Sequence, residues 1–260
     1  MALEENVQYG KFAALYDEFM DGVNYGQWAR YLLLLMDRFG AERSSCRPNT
    51  VFECGCGTGS ITIPLKKAGL NITASDLSDE MLAVASEKAR YAGQFIPFVR
   101  MDMRSLTLHR PVDAIIACCD CVNYLTSKED VLAFFKSAYA SLKAGGALYF
   151  DVSSEYKLSA VLGCNSFSDS REDKAYFWRN NYDPGSCLIE MDLDFFTAHG
   201  SGGLYERFRE KHIQRAHSEE ELTAWLREAG FNEVKTFACF TQKPVFDTTE
   251  RIQFCAFKAQ

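Results

Sequence analysis

The sequence predicts an α/β protein: a mostly parallel β-sheet with helices on both faces, preceded by two helices and interrupted by an inserted antiparallel β cap. Three observations carry this. Between residues 50 and 152, apolar strand-like runs alternate with helical stretches, a rhythm that folds into right-handed βαβ units. A glycine-rich turn joins the first strand to the helix after it. Beyond Asp151 the pattern changes to aromatic-rich two-residue alternation, the signature of antiparallel strands.

The elements follow in order. Tyr9 to Met20 and Tyr25 to Phe39 read as helices, the second with Trp28, Leu32, Leu35, Met36 and Phe39 at helical spacing and Gly40 as its stop. A polar loop, Ser44 to Asn49, leads to strand Thr50 to Cys54, the turn Gly55 to Gly59, and a helix through Lys67. Asn71 to Ser75 is the second strand and ends at Asp76. Ser78 is placed to cap the helix Asp79 to Tyr91. Phe95 to Arg100 and Ala114 to Cys118 are the third and fourth strands, the latter apolar throughout, as in a sheet covered on both faces. A helix from Ser127 to Leu142, stopped at Gly145-Gly146, precedes the fifth strand, Ala147 to Val152. Three cap strands are expected at Ala175 to Trp178, Cys187 to Phe196 and Leu204 to Ile213, with turns at 183–186 and 200–203. A helix from Glu219 to Ala229 and strands near Glu233 to Phe240 and Arg251 to Phe257 complete the chain.

Composition narrows the function. The 260 residues are 47% hydrophobic and 24% charged, enough to bury a full core. A net charge of −7, with no basic face, argues against nucleic acid as partner. The N-terminal residues lack the pattern of a signal peptide, and no apolar run approaches the roughly 20 residues of a membrane span. A cytoplasmic, reducing location is therefore expected for the ten cysteines, without disulfides. Cys118 and Cys121 form a lone C-x-x-C with no second pair, so no metal site is expected. The sequence sets no oligomeric state.

The chemistry centres on Glu53-Cys54-Gly55-Cys56-Gly57-Thr58-Gly59-Ser60. Strand, glycines, then helix is how an α/β sheet presents a cofactor at the carboxyl edge of its strands, although a glycine run alone also fits an ordinary tight turn. The spacing is G-x-G-x-G rather than the G-x-G-x-x-G of dinucleotide binders, and an acidic residue precedes it. Glu53 suits a cationic ligand rather than a phosphate. Asp76, 17 residues after Gly59, can accept hydrogen bonds from both hydroxyls of a ribose.

These residues resemble the E/D-x-G-x-G-x-G motif of class I S-adenosylmethionine-dependent methyltransferases. The similarity extends to Tyr9-Gly-Lys-Phe-Ala-Ala-Leu-Tyr16 and Tyr25-Gly-Gln-Trp28, in a branch with sugar N,N-dimethyltransferases and glycine N-methyltransferase. The resemblance implies a Rossmann-like seven-stranded sheet whose last strand is antiparallel. It implies a helical lid (1–45), a cofactor-binding core (46–155 and 218–260) and a substrate cap (156–217). S-adenosylmethionine, converted to S-adenosylhomocysteine, would contact Glu53, Gly55, Cys56, Gly57, Gly59, Asp76 and Leu77. Met81, Asp102 and Met103 would surround the adenine, Cys119 would border the methyl donor, and Tyr9, Tyr16 and Trp28 would close over the top. For Met81, Tyr16 and Trp28, plain helix packing is the competing reading. Cys54 and Cys119 depart from the aliphatic residues or glycine more usual there.

Methyl transfer from a sulfonium needs alignment and shielding more than acid–base chemistry, and a base only for an acceptor that arrives protonated. A small-molecule N- or O-acceptor is expected, with Asp120, Asn123 and Tyr124 beside the donor. Glu206, Phe208, Glu210 and His212 share one face of the last cap strand by alternation. That face is expected to look into the pocket with His212 as base; the alternative is a solvated strand. A cofactor-binding regulator, a protein or RNA methyltransferase and an NAD-dependent oxidoreductase are the competing functions. The glycine spacing and Glu53 count against the last.

Overall fold

The computed structural model describes residue 9 and residues 11–44, 47–200 and 203–260. Cys46 and part of the expected turn at 200–203 lie outside the described residues. The first expected helix is a 3-10 turn, Lys11–Ala14, followed by the short helix α1, Tyr16–Phe19. Helix α2, Tyr25–Ser44, runs through Gly40 instead of stopping there. An interior glycine costs a helix about 1 kcal/mol, whereas Leu32, Leu35, Met36 and Phe39 are wholly buried on its inner face.

The core follows with β1 (Thr50–Cys54), α3 (Thr62–Lys67), β2 (Asn71–Asp76), α4 (Asp79–Tyr91), β3 (Phe98–Arg100) and β4 (Val112–Ala117). Next come α5 (Lys128–Ser141) and β5 (Leu142–Ser153). The cap strands are β6 (Ser166–Ser170), β7 (Lys174–Asp183), β8 (Leu188–His199) and β9 (Leu204–Arg215), before α6 (Glu219–Glu228), β10 (Glu233–Ala238) and β11 (Arg251–Phe257). Three expectations shift. Phe95 is 84% exposed, and β3 begins only at Phe98. The strand β5 starts before Gly145-Gly146, where a side chain at Gly146 would sit 2.9 Å from the Lys143 carbonyl. The cap gains a strand, β6, whose polar sequence Ser-Phe-Ser-Asp-Ser carries no apolar alternation.

The large sheet has seven strands in the order β10-β11-β5-β4-β1-β2-β3. The neighbours among β1 to β5 pair parallel, and β11 runs antiparallel to both β5 and β10. Two-residue alternation feeds both faces. Val51 and Tyr149 face α2, and Phe52, Leu148 and Phe150 face α5 and α6, where Phe134, Phe135, Leu222 and Leu226 are wholly buried. Side-chain caps fix the starts of two helices: the Ser78 hydroxyl accepts from Met81 N at 3.0 Å on α4, and Ser218 and Glu221 form a capping box on α6.

The second sheet, β6-β7-β8-β9, is antiparallel throughout. The N-terminal segment packs on its inner face, where the Phe12 ring stacks on Phe195 at 4.4 Å and Phe19 meets Tyr176 edge-on at 5.3 Å. Asn123, wholly buried, joins the two sheets. Its amide donates to the carbonyls of Ser153 (3.0 Å) and Arg215 (2.9 Å), and its oxygen accepts from Ser153 N at 2.9 Å.

Candidate active site: two cavities with a common wall

The carboxyl edge of β1, β2 and β4 opens into a cavity of about 330 Å³. Gly55 and Gly57 hold positive φ angles of 64° and 51°, which only glycine adopts freely, and a side chain at Gly55 would meet Cys121 Sγ at 3.0 Å. The turn therefore leaves backbone, not side chains, facing the cavity. Glu53 lies behind it, 2% exposed, and its Oε2 has no hydrogen-bond partner. Burial pushes its carboxyl up to about 8, while the Thr62 hydroxyl acts the other way. A buried, unsatisfied carboxylate fits a cationic group, which would restore its charged form. Asp76 accepts from Gly57 N at 2.8 Å and Ser78 N at 3.0 Å. Each oxygen keeps a second lone pair for a ligand hydroxyl.

A second cavity, of about 600 Å³, lies between the N-terminal segment, the cap and the sheet edge. Tyr9, Tyr16, Tyr25, Cys119 and Tyr124 line both cavities and form the wall between them. That wall depends on two consecutive residues in the left-handed region, Cys119 at φ 59° and Asp120 at φ 56°, each costing about 1–2 kcal/mol for a residue with a Cβ. Asp151, wholly buried at the end of β5, holds them there by accepting from Cys119 N at 2.8 Å and Asp120 N at 3.1 Å. Arg251 donates to Asp151 and, at 2.7 Å, to Asp120, whose other oxygen accepts from Gln214 at 2.8 Å. Its guanidinium also lies over the Trp28 ring, 5.5 Å from the centroid.

On β9, Glu210, His212 and Gln214 are buried in alternation. Glu210 Oε2 lies 3.0 Å from His212 Nε2, and His212 Nδ1 lies 3.1 Å from the Tyr124 hydroxyl. The Tyr124 hydroxyl is in turn 2.6 Å from that of Tyr9, and the Tyr9 amide donates to the same Glu210 oxygen at 3.0 Å. With Glu210 as carboxylate and a neutral imidazole, Nε2 carries the hydrogen and Nδ1 accepts from Tyr124. Burial raises the Tyr9 and Tyr124 hydroxyls above their ordinary range.

The expected cofactor residues divide between the cavities. Glu53, Gly55, Cys56, Gly57, Asp76, Leu77, Met81, Asp102 and Met103 line the first. Asp102 is engaged there by the Arg104 guanidinium, which holds its carboxyl below the usual range. Gly59 is absent from that lining; at φ 74° its missing side chain leaves room for Ala85 of α4, whose Cβ would be 3.2 Å away. Trp28 lines the second cavity rather than the first, packed against Phe240. Asp120 and His212 also belong to the second, and Tyr124 to both. The sequence reading missed Asp151, Arg251, Gln214 and Lys157. Asp151 had a signal, a lone charge inside the apolar run Tyr-Phe-Asp-Val.

A seven-stranded sheet of this order, with an acidic residue and glycines at the first turn and a ribose-competent aspartate at the second, defines an S-adenosylmethionine-dependent methyltransferase of class I. Comparison with known proteins agrees. Residues 51–146 match a family model described as "Methyltransferase domain". The chain is 36% identical to the Bacillus subtilis protein named "Putative methyltransferase YqeM", over 97% of this chain and 98% of that one. The crystal structure of a S-adenosylmethionine-dependent methyltransferase from Clostridium acetobutylicum superposes with a TM-score of 0.84 at 32% identity, covering 97% and 99% of the two chains. The sugar N-methyltransferase KedS8 from Streptoalloteichus sp. shares the fold at 20% identity, with a TM-score of 0.76 and coverage of 100% and 99%. The chain belongs to this family of S-adenosylmethionine-dependent methyltransferases. No helix among the described residues is long and apolar enough to cross a membrane, and no group of His, Cys, Asp and Glu among them could hold a metal ion.

Proposed function

We propose that the protein methylates a nitrogen or oxygen of a small molecule bound in the second cavity. The single observation that carries this is the common wall. A cavity fit for the cofactor and a larger one of small-molecule size meet only a side chain apart, at Tyr9, Tyr16, Cys119 and Tyr124. The fold likeness to a sugar N-methyltransferase, which extends over the cap, supports an acceptor of that size.

Glu53, Gly55, Gly57, Asp76, Leu77, Met81 and Asp102 would hold the cofactor, which supplies an electrophilic methyl on a sulfonium with a neutral thioether as leaving group. The remaining work is orientation and water exclusion. The aromatic walls of Phe12, Tyr176, Trp178 and Phe195 enclose the acceptor, and the strained Cys119-Asp120 backbone fixes the aperture. Where the acceptor arrives protonated, the Tyr9–Tyr124 hydroxyl pair passes its proton to His212 Nδ1. Glu210 orients the imidazole through Nε2, as an acidic partner does for a histidine base. Asp120, already paired with Arg251, shapes the wall.

The test is calorimetric titration with S-adenosylmethionine and S-adenosylhomocysteine, with NAD as control, followed by methyl transfer to a panel of amines, phenols and carboxylates. Micromolar binding of the first two and turnover on a panel member are expected. Binding of NAD alone would overturn the reading.

A further inference from the structure

We infer that the acceptor carries an anionic group, a carboxylate or a phosphate, and that Lys157 receives it. This rests on the reading of the second cavity as the acceptor site. Lys157 opens a π-helical turn, Lys157–Leu162, just past the carboxyl end of β5, and its backbone N–H donates to the Ser154 hydroxyl at 3.1 Å. Its side chain is half-buried and lines the second cavity.

The other charges on that lining are matched. Arg251 is bound to Asp120 and Asp151, Asp120 also accepts from Gln214, and His212 sits between Glu210 and Tyr124. Among the described residues, the Lys157 ammonium makes no hydrogen bond and no ion pair. Asp120, Asp151 and Glu250 act on it only at a distance. Burial, and then the positive charge of Arg251, hold its pKa below the ordinary lysine value, as expected where an ammonium lacks acceptors. Trp178, on the same lining, has its indole N–H buried without an acceptor.

With the Tyr25 hydroxyl, also buried without a partner on this lining, these are three donors without acceptors in a cavity lined largely by aromatic and aliphatic side chains, and they call for an oxygen-rich anion on an apolar body. Lysine is a point charge and accommodates a carboxylate or a phosphate. The anion would lie near Arg251 and Asp120, at the wall next to Cys119, so the nucleophile it positions need be only a few bonds away.

The experiment uses the full chain saturated with S-adenosylhomocysteine, titrated with benzoate, phenyl phosphate, benzamide and benzylamine. Either anion should bind at least tenfold tighter than benzamide. Lys157→Met should abolish that preference and Lys157→Arg should largely keep it. Whichever anion binds tighter identifies the headgroup. Equal binding of anion and amide, no binding of either anion, a preference for benzylamine, or a preference that survives in Lys157→Met would overturn the inference. Binding of S-adenosylhomocysteine by both variants verifies their fold. Its failure in the unmodified protein would instead remove the methyltransferase reading itself, whereas turnover on neutral acceptors without anion preference would remove only the role of Lys157.

Discussion

The two cavities are built by opposite means. Apart from the shared wall, the first takes most of its polar groups from consecutive strand-to-helix turns between Glu53 and Arg104, much of it as backbone exposed by glycine. The second draws on five distant stretches: the N-terminal residues through Trp28, the Cys119–Tyr124 turn, the end of β5 with the turn after it, the cap, and Phe240 with Arg251 near the C-terminal end of the chain. A cofactor that does not vary can be met by a contiguous motif. On the proposed reading, the acceptor is met by side chains that only the tertiary fold brings together.

The sharpest way to break that contrast is through His212, which belongs to the second cavity alone. On an amine or phenol acceptor found in the panel, which arrives protonated, His212→Gln is expected to lower kcat by about 100-fold or more, the range of a lost general base. Affinity for S-adenosylhomocysteine should stay within about twofold. Loss of cofactor binding together with kcat would mean that the cavities are not separable; unchanged turnover would remove the proton relay. The mirror experiment is Asp76→Ala, which deletes the acceptor of Gly57 N and Ser78 N and, on the proposed reading, of the cofactor's ribose hydroxyls. Two charge-assisted bonds to the ligand correspond to about 100-fold in affinity. Retention of full affinity would displace Asp76 from the cofactor's hydroxyls.

Acidity sharpens the comparison next. Glu53 is raised to about 8 by burial, so the ligand-free protein holds this proton more tightly than the unfolded chain does. Its stability therefore declines as pH rises from the ordinary glutamate range to about 8. An ammonium beside the carboxylate lowers its pKa, so cofactor binding releases a proton below pH 8. Affinity for S-adenosylhomocysteine should rise from pH 6 toward pH 8 by up to about tenfold per unit. It should level off or turn over above that, where the amine itself begins to deprotonate. Calorimetry in buffers of different ionisation enthalpy reads the released proton directly. Glu53→Gln should flatten the profile; a flat profile in the unmodified protein would show that Glu53 does not meet the ammonium.

The same division explains what the sequence disclosed. The sheet rhythm, the glycine turn, Asp76 and the Ser78 and Ser218 caps are local, and each could be read from neighbouring residues. Two-residue alternation was enough to place Glu210 and His212 on one face of β9, although not to show what they touch. Local reading failed where tertiary contacts decide. Helix α2 passes Gly40 because its apolar face is buried, and β6 pairs with β7 despite a polar sequence. Cys119 and Asp120 adopt positive φ without glycine because Asp151, more than 30 residues away, accepts from both amides. Arg251 and Lys157 reach the second cavity from opposite sides of the cap insertion, a proximity that no spacing rule encodes.

The smallest effect addresses which cavity the N-terminal segment serves. Asp17 of α1 accepts from the hydroxyls of Thr58 (2.6 Å) and Ser60 (3.2 Å) on the glycine turn, and pairs with Lys88 of α4. It thus pins the segment that carries Tyr9 and Tyr16 to the first cavity, whereas Phe12 and Phe19 attach the same segment to the cap. Asp17 and Lys88 are each about one-third exposed, so the ion pair contributes at most about 1 kcal/mol and weakens with salt. If the pin orders the common wall for the cofactor, Asp17→Ala should weaken S-adenosylhomocysteine binding about threefold to fivefold at low salt, and less at high salt. If packing on the cap alone holds the segment, cofactor affinity will not move. Acceptor binding then becomes the measurement in which the N-terminal segment shows itself.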